Sequence, residues 1–305
     1  MGRYTKHLCT PLRSFGGKTP LVSKIIPLLP SGTTYVEPYC GSAAVFFAKQ
    51  PSPQEVLGDL DDRVVNFFRC LQDQKLYKRL KWQLVNTPYA LAEFVKALRI
   101  ADNQNACASR RAWAFFVIAN QGFSGFATKL SPGCWSRAFT SSRQMASNVS
   151  RYQFKLQLLD ACHRRLQNVT ILNQDVFELI QQYDMADTVF YFDPPYLPTT
   201  RSTSRGYKFD ATMEHHEQLV ERLLSLKGQA ILSCYSHPIY EILLQHGWQQ
   251  HNIATACYAV VRGRNTKLRG AGAALQYAPR VETLYILRRD QVQPTLLKEE
   301  CLCQK

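Results

Sequence analysis

Asp193-Pro194-Pro195-Tyr196 follows directly on the apolar run Val189-Phe190-Tyr191-Phe192. A short β-branched and aromatic run of this kind predicts a buried strand, so the tetrapeptide lies where the chain leaves a sheet. Consecutive prolines stiffen the backbone and remove N–H donors, which leaves carbonyls facing outward without local partners. A carboxylate beside such a carbonyl offers two acceptors that can hold both hydrogens of one planar amine. Held in that way, the nitrogen is drawn toward tetrahedral geometry and recovers a lone pair that was delocalised into a ring. The exocyclic N6 amine of adenine is a weak nucleophile of this type. Asp193 and the Pro194 carbonyl would be the acceptors, Asp193 stabilising the charge that develops on nitrogen. Tyr196 would give a stacking face to a base extruded from a duplex. Such chemistry requires neither a metal nor a covalent intermediate. The same residues also admit a plainer reading, a rigid strand exit with Asp193 as a cap and Tyr196 in the core.

The elements that must position this site follow from periodicity. Residues 33–37 read as a strand entered through Pro30-Ser31-Gly32, running into Pro38-Tyr39-Cys40-Gly41 and a helix over 42–49 with Ser42 as its N-cap. Residues 56–59 form a second short strand ending in Asp59. From Arg63 to about Leu98 the apolar residues recur at three-to-four spacing, and a further helix spans 110–120. Pro132-Gly133 predicts a hairpin tip. Alternation then returns: helix 150–166, strand 169–172, helix 176–182, strand 188–192, helix 213–226, strand 230–234, helix 239–246 after Pro238, and late strands near 252–258 and 282–287. This order predicts an α/β fold with an open, largely parallel, doubly wound sheet, interrupted by an insertion over about 63–145. Ligands of such sheets bind outside the carboxyl ends of the strands, where Asp193 falls.

Bulk properties narrow the partner. The 305 residues carry 37 Lys and Arg against 23 Asp and Glu, a net charge of +14, in an otherwise ordinary globular composition. That excess suits a polyanion, since each neutralised phosphate releases counterions. The longest apolar runs, such as 112–119, are too short to span a bilayer. The polar first residues predict no secretory signal, hence a cytoplasmic protein. The ten cysteines are scattered and read as reduced thiols; Cys301-x-Cys303 lacks a partner pair at zinc spacing. His215-His216, between Glu214 and Glu217, reads as a solvated helix start rather than a metal site, because adjacent residues do not share a helix face.

Asp-Pro-Pro-Tyr at this place resembles the catalytic motif of the N6-adenine DNA methyltransferases. The order of parts narrows the resemblance to the Dam-like (D12) group, which places a Gly-Gly-Lys motif and a cofactor loop first, an inserted target-recognition domain next and the catalytic motif last. This chain has Phe15-Gly16-Gly17-Lys18, then Val36-Glu37-Pro38-Tyr39-Cys40-Gly41-Ser42-Ala43-Ala44-Val45-Phe46-Phe47, then the insertion, then Asp193; the likeness covers about residues 8–288. It implies a Rossmann-like methyltransferase domain over 1–63 and 146–290, a helical target-recognition domain with a β-hairpin over 64–145, and a tail over 291–305. It further implies S-adenosylmethionine as cofactor and double-stranded DNA as substrate, with the target base flipped and the protein acting as a monomer.

Carried over position by position, the resemblance assigns catalysis to Asp193, Pro194, Pro195 and Tyr196. Ser14, Phe15 and Lys18 would border the cofactor, as would Asp193. Tyr39 and Gly41 would wrap its methionine part, Asp59 would bind the ribose hydroxyls, and Asp175 with Val176 would meet its adenine. Asp175 could equally cap the helix that follows, and the two roles are compatible. Ala43 stands where the family usually has a second glycine, and Ser14 where it often has an aromatic residue. Asn120-Gln121-Gly122-Phe123-Ser124-Gly125-Phe126 is similar to the segment that leads into the family's DNA-reading hairpin, which makes Lys129, Trp135 and Arg137 candidates for DNA contact. Arg201, Arg205 and Lys208, and then Arg262, Arg264, Lys267 and Arg269, lie in polar loops suited to phosphates. RNA adenine is the nearest alternative substrate, because the amine chemistry is identical; a non-catalytic DNA-binding relative is the other. Asp rather than Asn or Ser before Pro-Pro-Tyr argues against cytosine or glutamine, and the lack of Gly-x-Gly-x-x-Gly against a nicotinamide enzyme.

Overall fold

The computed structural model describes residues 7–14, 16–123, 131–137, 140–142, 144–197, 211–257 and 278–289. In chain order the elements are α1 (Val22–Ile25), β1 (Thr34–Glu37), α2 (Ala44–Ala48), β2 (Gln54–Gly58), α3 (Asp62–Gln72), α4 (Gln74–Val85), α5 (Leu91–Ile100) and α6 (Ala108–Gln121). They continue with β3 (Ser141–Ser142), β4 (Met145–Ala146), α7 (Ser147–Gln157), α8 (Leu159–Leu166), β5 (Val169–Leu172), α9 (Val176–Tyr183) and β6 (Thr188–Phe192). The last are α10 (Met213–Leu224), β7 (Gln229–Cys234), α11 (Glu241–Gln245), β8 (Gln249–Cys257) and β9 (Ala278–Leu287).

Seven strands form one sheet in the order β5-β2-β1-β6-β7-β9-β8. β5, β2, β1, β6 and β7 are mutually parallel, while β9 runs antiparallel to both β7 and β8. The expected α/β class and open, mostly parallel sheet are therefore present. From β1 the chain steps outward to β2 and β5; from β6 it steps the other way to β7. β1 and β6 are neighbours, Val36 opposite Phe190, so the order reverses between them and a crevice opens at their carboxyl ends. Residues 38–43 leave β1 and residues 193–197 leave β6 at that crevice.

The strand sequences explain why both faces are covered. All five residues of β6 and all six of β7 are buried, the continuous pattern of strands packed on both sides. Alternation sends Tyr35, Tyr191 and Ile231 to one face, where they join Phe46, Phe47, Phe68, Phe116 and Tyr152. Val36, Phe190, Phe192 and Leu232 point the other way, onto Val176, Leu179, Leu219 and Leu243. The helices between β2 and β5 share the first of these cores: Trp113, Phe115 and Phe116 of α6 belong to the same cluster as Tyr191 of β6.

Local chemistry divides what periodicity alone runs together. The helical stretch from Arg63 to Leu98 is broken at Asp73, whose carboxylate accepts from the Lys75 and Leu76 amides at 2.9 and 2.7 Å and starts α4. The stretch over 150–166 divides at Leu158 into α7 and α8. Ser42 does not cap α2. That helix starts at Ala44, preceded by Ala43 in the left-handed region (φ 52°, ψ 39°) without a side-chain cap. The Ala43 amide instead bonds the Cys40 carbonyl at 2.5 Å, closing the loop into a tight turn. Pro132–Cys134 forms a single 3-10 turn, entered from an antiparallel bridge between Gly122 and Trp135.

Candidate functional site

At the carboxyl end of β6, five side chains converge, from distant parts of the chain. The Lys18 ammonium lies 2.6 Å from Asp193 Oδ1, 3.3 Å from the Gly16 carbonyl and 3.5 Å from Glu282 Oε1. It also sits over the Tyr196 ring, 4.9 Å from the centroid. The Tyr196 hydroxyl donates to Glu282 Oε1, and the Ser233 hydroxyl donates to the same oxygen at 2.6 Å. Lys18 and Glu282 are each 4% exposed, whereas Asp193 keeps 22% of its side chain accessible and is the member of the group that opens to solvent.

Electrostatics follow from this packing. Burial alone would pull the Lys18 ammonium down, but the surrounding Asp193, Tyr196 and Glu282 outweigh it and hold its pKa well above the ordinary lysine value. Burial pushes the Asp193 carboxyl up to about 6; Lys18 opposes the rise and Glu282 adds to it. The carboxylate is thus available as an acceptor near neutral pH.

The backbone of the motif is held from behind. His216 Nε2 is 3.0 Å from the Pro195 carbonyl oxygen, and its Nδ1 is 2.7 Å from the Tyr240 hydroxyl. A carbonyl can only accept, so Nε2 carries the hydrogen. His216 is fully buried. This corrects the reading of His215-His216 as a solvated helix start. The two residues do point to different faces, as adjacent helical residues must, but both faces of the α10 N-terminus pack against the site. His215 Nε2 is 2.7 Å from the Tyr39 hydroxyl, its ring lies 5.3 Å from Phe177, and burial lowers its pKa while Asp175 partly opposes that.

The loop after β1 is shaped by hydrogen bonds to Asp59 at the end of β2. Asp59 Oδ2 accepts from the Gly41 amide and Oδ1 from the Asp61 amide, each at 2.8 Å. Burial raises the Asp59 carboxyl to about 6, although both amides work against the rise. Gly41 has φ +48°, and a Cβ built there would meet nothing within 4 Å, so the loop fronts open space. The Ser14 hydroxyl donates to Ser42 Oγ at 3.1 Å, fastening the N-terminal glycine segment to this loop. Asp175 caps α9, its Oδ1 accepting from the Phe177 amide at 2.8 Å, and the Val176 side chain is buried beneath. Tyr39, Phe177 and His215 thus form an aromatic wall between the ends of β1 and β5. Glu37 is buried behind the loop, accepting from the Tyr35 hydroxyl and the Phe46 amide; burial pushes its carboxyl up to about 8.

Ser14, Lys18, Tyr39, Gly41, Asp59, Asp175 and Asp193 to Pro195 accordingly lie near the carboxyl ends of the parallel strands, with Val176 and Tyr196 buried in the core beside them; Phe15 lies outside the described residues. Of the residues singled out for DNA, Arg137 is exposed beside the bridge at Gly122. Trp135 is half-buried, its indole N–H donating to Gln121 Oε1 at 3.2 Å and its ring 5.4 Å from Tyr89. Arg13 donates to the carbonyls of Gly122 and Phe123 at 3.4 Å, tying that segment to the N-terminal loop. Lys129, Arg201, Arg205, Lys208, Arg262, Arg264, Lys267 and Arg269 lie outside the described residues. Sequence reasoning missed Glu282 and His216. A lone carboxylate inside the apolar strand Val281-Glu282-Thr283-Leu284-Tyr285-Ile286-Leu287 was the available signal for Glu282, since such a group is buried only with partners.

Comparison with known proteins agrees with this geometry. The profile of the D12 class N6 adenine-specific DNA methyltransferases matches residues 14–253. A Type II methyltransferase, M.MjaIII of Methanocaldococcus jannaschii, is 26% identical over 256 residues, 75% of this chain and 84% of that protein. The DNA adenine methylase of Vibrio cholerae is 25% identical over 63% of this chain and 67% of its own length. That of Salmonella typhimurium is 24% identical over 73% and 79%. The chain belongs to the D12 class of N6 adenine-specific DNA methyltransferases, enzymes that place a methyl group on adenine in DNA.

Proposed function

We propose that the methyl donor is S-adenosylmethionine, held by the loop after β1, and that the acceptor is an adenine turned out of double-stranded DNA at a short specific sequence. The residues present fit the donor. The loop at Gly41 fronts open space, Asp59 lies at the end of β2 where two hydroxyls of a ribose would be received, and Tyr39, Phe177 and His215 put mutually tilted aromatic rings nearby, of which Phe177 and Tyr39 could border a purine. When bound, that molecule supplies an electrophilic methyl group on a sulfonium. Asp59 and the Gly41 loop orient it, while Asp175 and Val176 meet its base.

The protein's own part in the reaction is to prepare the nucleophile. Asp193 and the Pro194 carbonyl each accept one hydrogen of the target amine, localising its lone pair as charge develops on nitrogen. His216 holds the next carbonyl, that of Pro195, and so sets the orientation of the motif's backbone. Tyr196 lines the base site, and Lys18 sits beside Asp193 on the cofactor side. The segment 64–145 is the target-reading insertion of a catalytic domain formed by 1–63 and 146–290, with 291–305 as a tail. Trp135, Arg137 and Lys129 serve the hairpin, and Arg201, Arg205, Arg262, Arg264 and Lys267 serve the phosphates. The enzyme acts as a cytoplasmic monomer. Among the described residues no helix is long and apolar enough to cross a membrane.

The observation that carries this reading is the partly exposed Asp193 carboxylate at the sheet's switch point, beside the Gly41 loop. Expression in cells that lack adenine methylation, followed by sequencing sensitive to N6-methyladenine, tests it. Modified adenine in one short context is expected with the wild type and none with Asp193→Ala, which should still bind S-adenosylmethionine by calorimetry. Methylation at wild-type levels by Asp193→Ala refutes the catalytic assignment, and methylation confined to RNA refutes the substrate.

A further inference from the structure

Glu282 is a buried carboxylate to which the proposed chemistry gives no role. It stands on β9, whose antiparallel pairing with β7 sets Cys234 opposite Thr283 and so delivers Glu282 to the carboxyl end of β7, beside the motif that leaves β6. A buried carboxylate costs several kcal/mol unless donors satisfy it. Here the donors converge on one oxygen: Oε1 accepts from the Tyr196 hydroxyl and from the Ser233 hydroxyl at 2.6 Å, with the Lys18 ammonium 3.5 Å away.

The position of Lys18 explains why a second carboxylate belongs there. Its ammonium is bonded to Asp193 Oδ1 and covers a face of Tyr196. The first is the acceptor that a target amine needs; the second is a motif ring that packs in the core, 7% exposed. Lys18 takes only Oδ1 of Asp193, and an ammonium that is 4% exposed needs its charge balanced more fully when that carboxylate is shared with an amine. Among the described residues, Glu282 is the one other carboxylate paired with Lys18.

We propose that Glu282 is a positioning residue for methyl transfer, holding the Tyr196 ring by its hydroxyl and sharing the Lys18 ammonium with Asp193 while Asp193 receives the target amine. The inference rests on the reading of Asp193 as the amine's acceptor. Only hydrogen bonds are exchanged: Lys18 keeps its protons, and no covalent bond forms or breaks in this step.

Glu282→Gln is the discriminating variant. Its amide oxygen can still accept from Tyr196 and Ser233, so the packing survives, but a neutral side chain cannot balance the ammonium. On genomic DNA from cells lacking adenine methylation, kcat is expected to fall on the order of tenfold to a hundredfold, with the dissociation constant of S-adenosylmethionine unchanged. The acid limb of the kcat profile should move to lower pH, because Glu282 raises the Asp193 carboxyl and Lys18 lowers it. Tyr196→Phe removes the hydroxyl that Glu282→Gln leaves bonded, so the losses of the two variants should add when they are combined. Wild-type kcat overturns the proposal, and so does a rate loss with an unmoved acid limb, which a merely structural role would give. Wild-type enzyme is assayed alongside. If it forms no N6-methyladenine, the reading of Asp193 fails first and this inference with it; failure confined to Glu282→Gln removes the inference alone.

Discussion

The Lys18 ammonium lies 2.6 Å from Asp193 Oδ1 although 175 residues of chain separate them. The pairing keeps a carboxylate ionised in a place where burial disfavours charge, and so ties the rate of the enzyme to a titration. With Asp193 at about 6, the ionised acceptor is lost as pH falls through 6, and kcat should drop about tenfold per pH unit below it. Lys18→Met removes the charge that lowers Asp193, so the acid limb should move to higher pH. A stopped-time methylation assay between pH 5 and pH 8 measures both, and a limb that does not move in Lys18→Met breaks the link between the two residues.

Asp59 also stands near 6, and under the proposed reading its titration bears on cofactor binding rather than on turnover. Asp59→Ala should weaken S-adenosylmethionine by about 10- to 100-fold, the loss of one or two hydrogen bonds to a charged group, with kcat at saturation little changed. The Gly41 amide loses its acceptor in the same variant, so part of the loss reflects a looser loop. An unaltered dissociation constant by calorimetry would refute the ribose role.

His216→Ala removes a buried ring that satisfies both the Pro195 carbonyl and the Tyr240 hydroxyl. The cavity and the orphaned polar groups together should cost about 2–4 kcal/mol of stability. Activity should fall further than stability explains, because the backbone that presents the Pro194 carbonyl loses its support. Urea titration and single-turnover rates are the measurements. A variant with normal stability and normal turnover would show that the His216 contacts hold nothing in place.

Arg137 is exposed and adjoins the bridge between Gly122 and Trp135, where the insertion leaves α6. Arg137→Ala should weaken DNA by about 1–3 kcal/mol if it reads a base, relaxing preference at one position. A phosphate contact would instead weaken all sequences alike and lower the salt slope by about one. Identical affinities and methylation maps would take Arg137 out of the interface. Trp135 behaves differently in the structure: its ring and indole N–H are engaged by Tyr89 and Gln121, so Trp135→Ala should also disturb the bridge to Gly122.

The parts legible in the sequence were those written in consecutive residues. Asp193 to Tyr196 announces itself because two prolines follow an acid at the end of an apolar strand, and the strands themselves carry period-two or continuous apolar patterns. The helix breaks at Asp73 and Leu158 were not legible from periodicity, because apolar spacing persists across a cap. Ser42 has the right side chain for an N-cap, yet its hydroxyl is used by Ser14 and the helix begins after a left-handed Ala43. Glu282 was hidden for a topological reason: it comes from a strand that runs against its neighbours, so its nearness to Asp193 depends on the order of the sheet, which no local pattern encodes. His216 was misjudged because the helix-face rule says where two adjacent residues point and nothing about what covers each face.

β9 carries one more consequence. It is among the last elements to be synthesised, yet it lies between β7 and β8 and brings Glu282 to a corner otherwise built from residues made much earlier. A nascent chain can assemble β1, β2, β5, β6 and β7 around their apolar faces while β9 is still unmade. Until that strand arrives, Lys18 has Asp193, the Gly16 carbonyl and the Tyr196 ring but lacks its second carboxylate. Order of synthesis thus leaves Glu282 for last, and a chain cut short before residue 282 would lose with it the buried Leu284, Tyr285, Ile286 and Leu287 and the strand that joins β8 to the sheet.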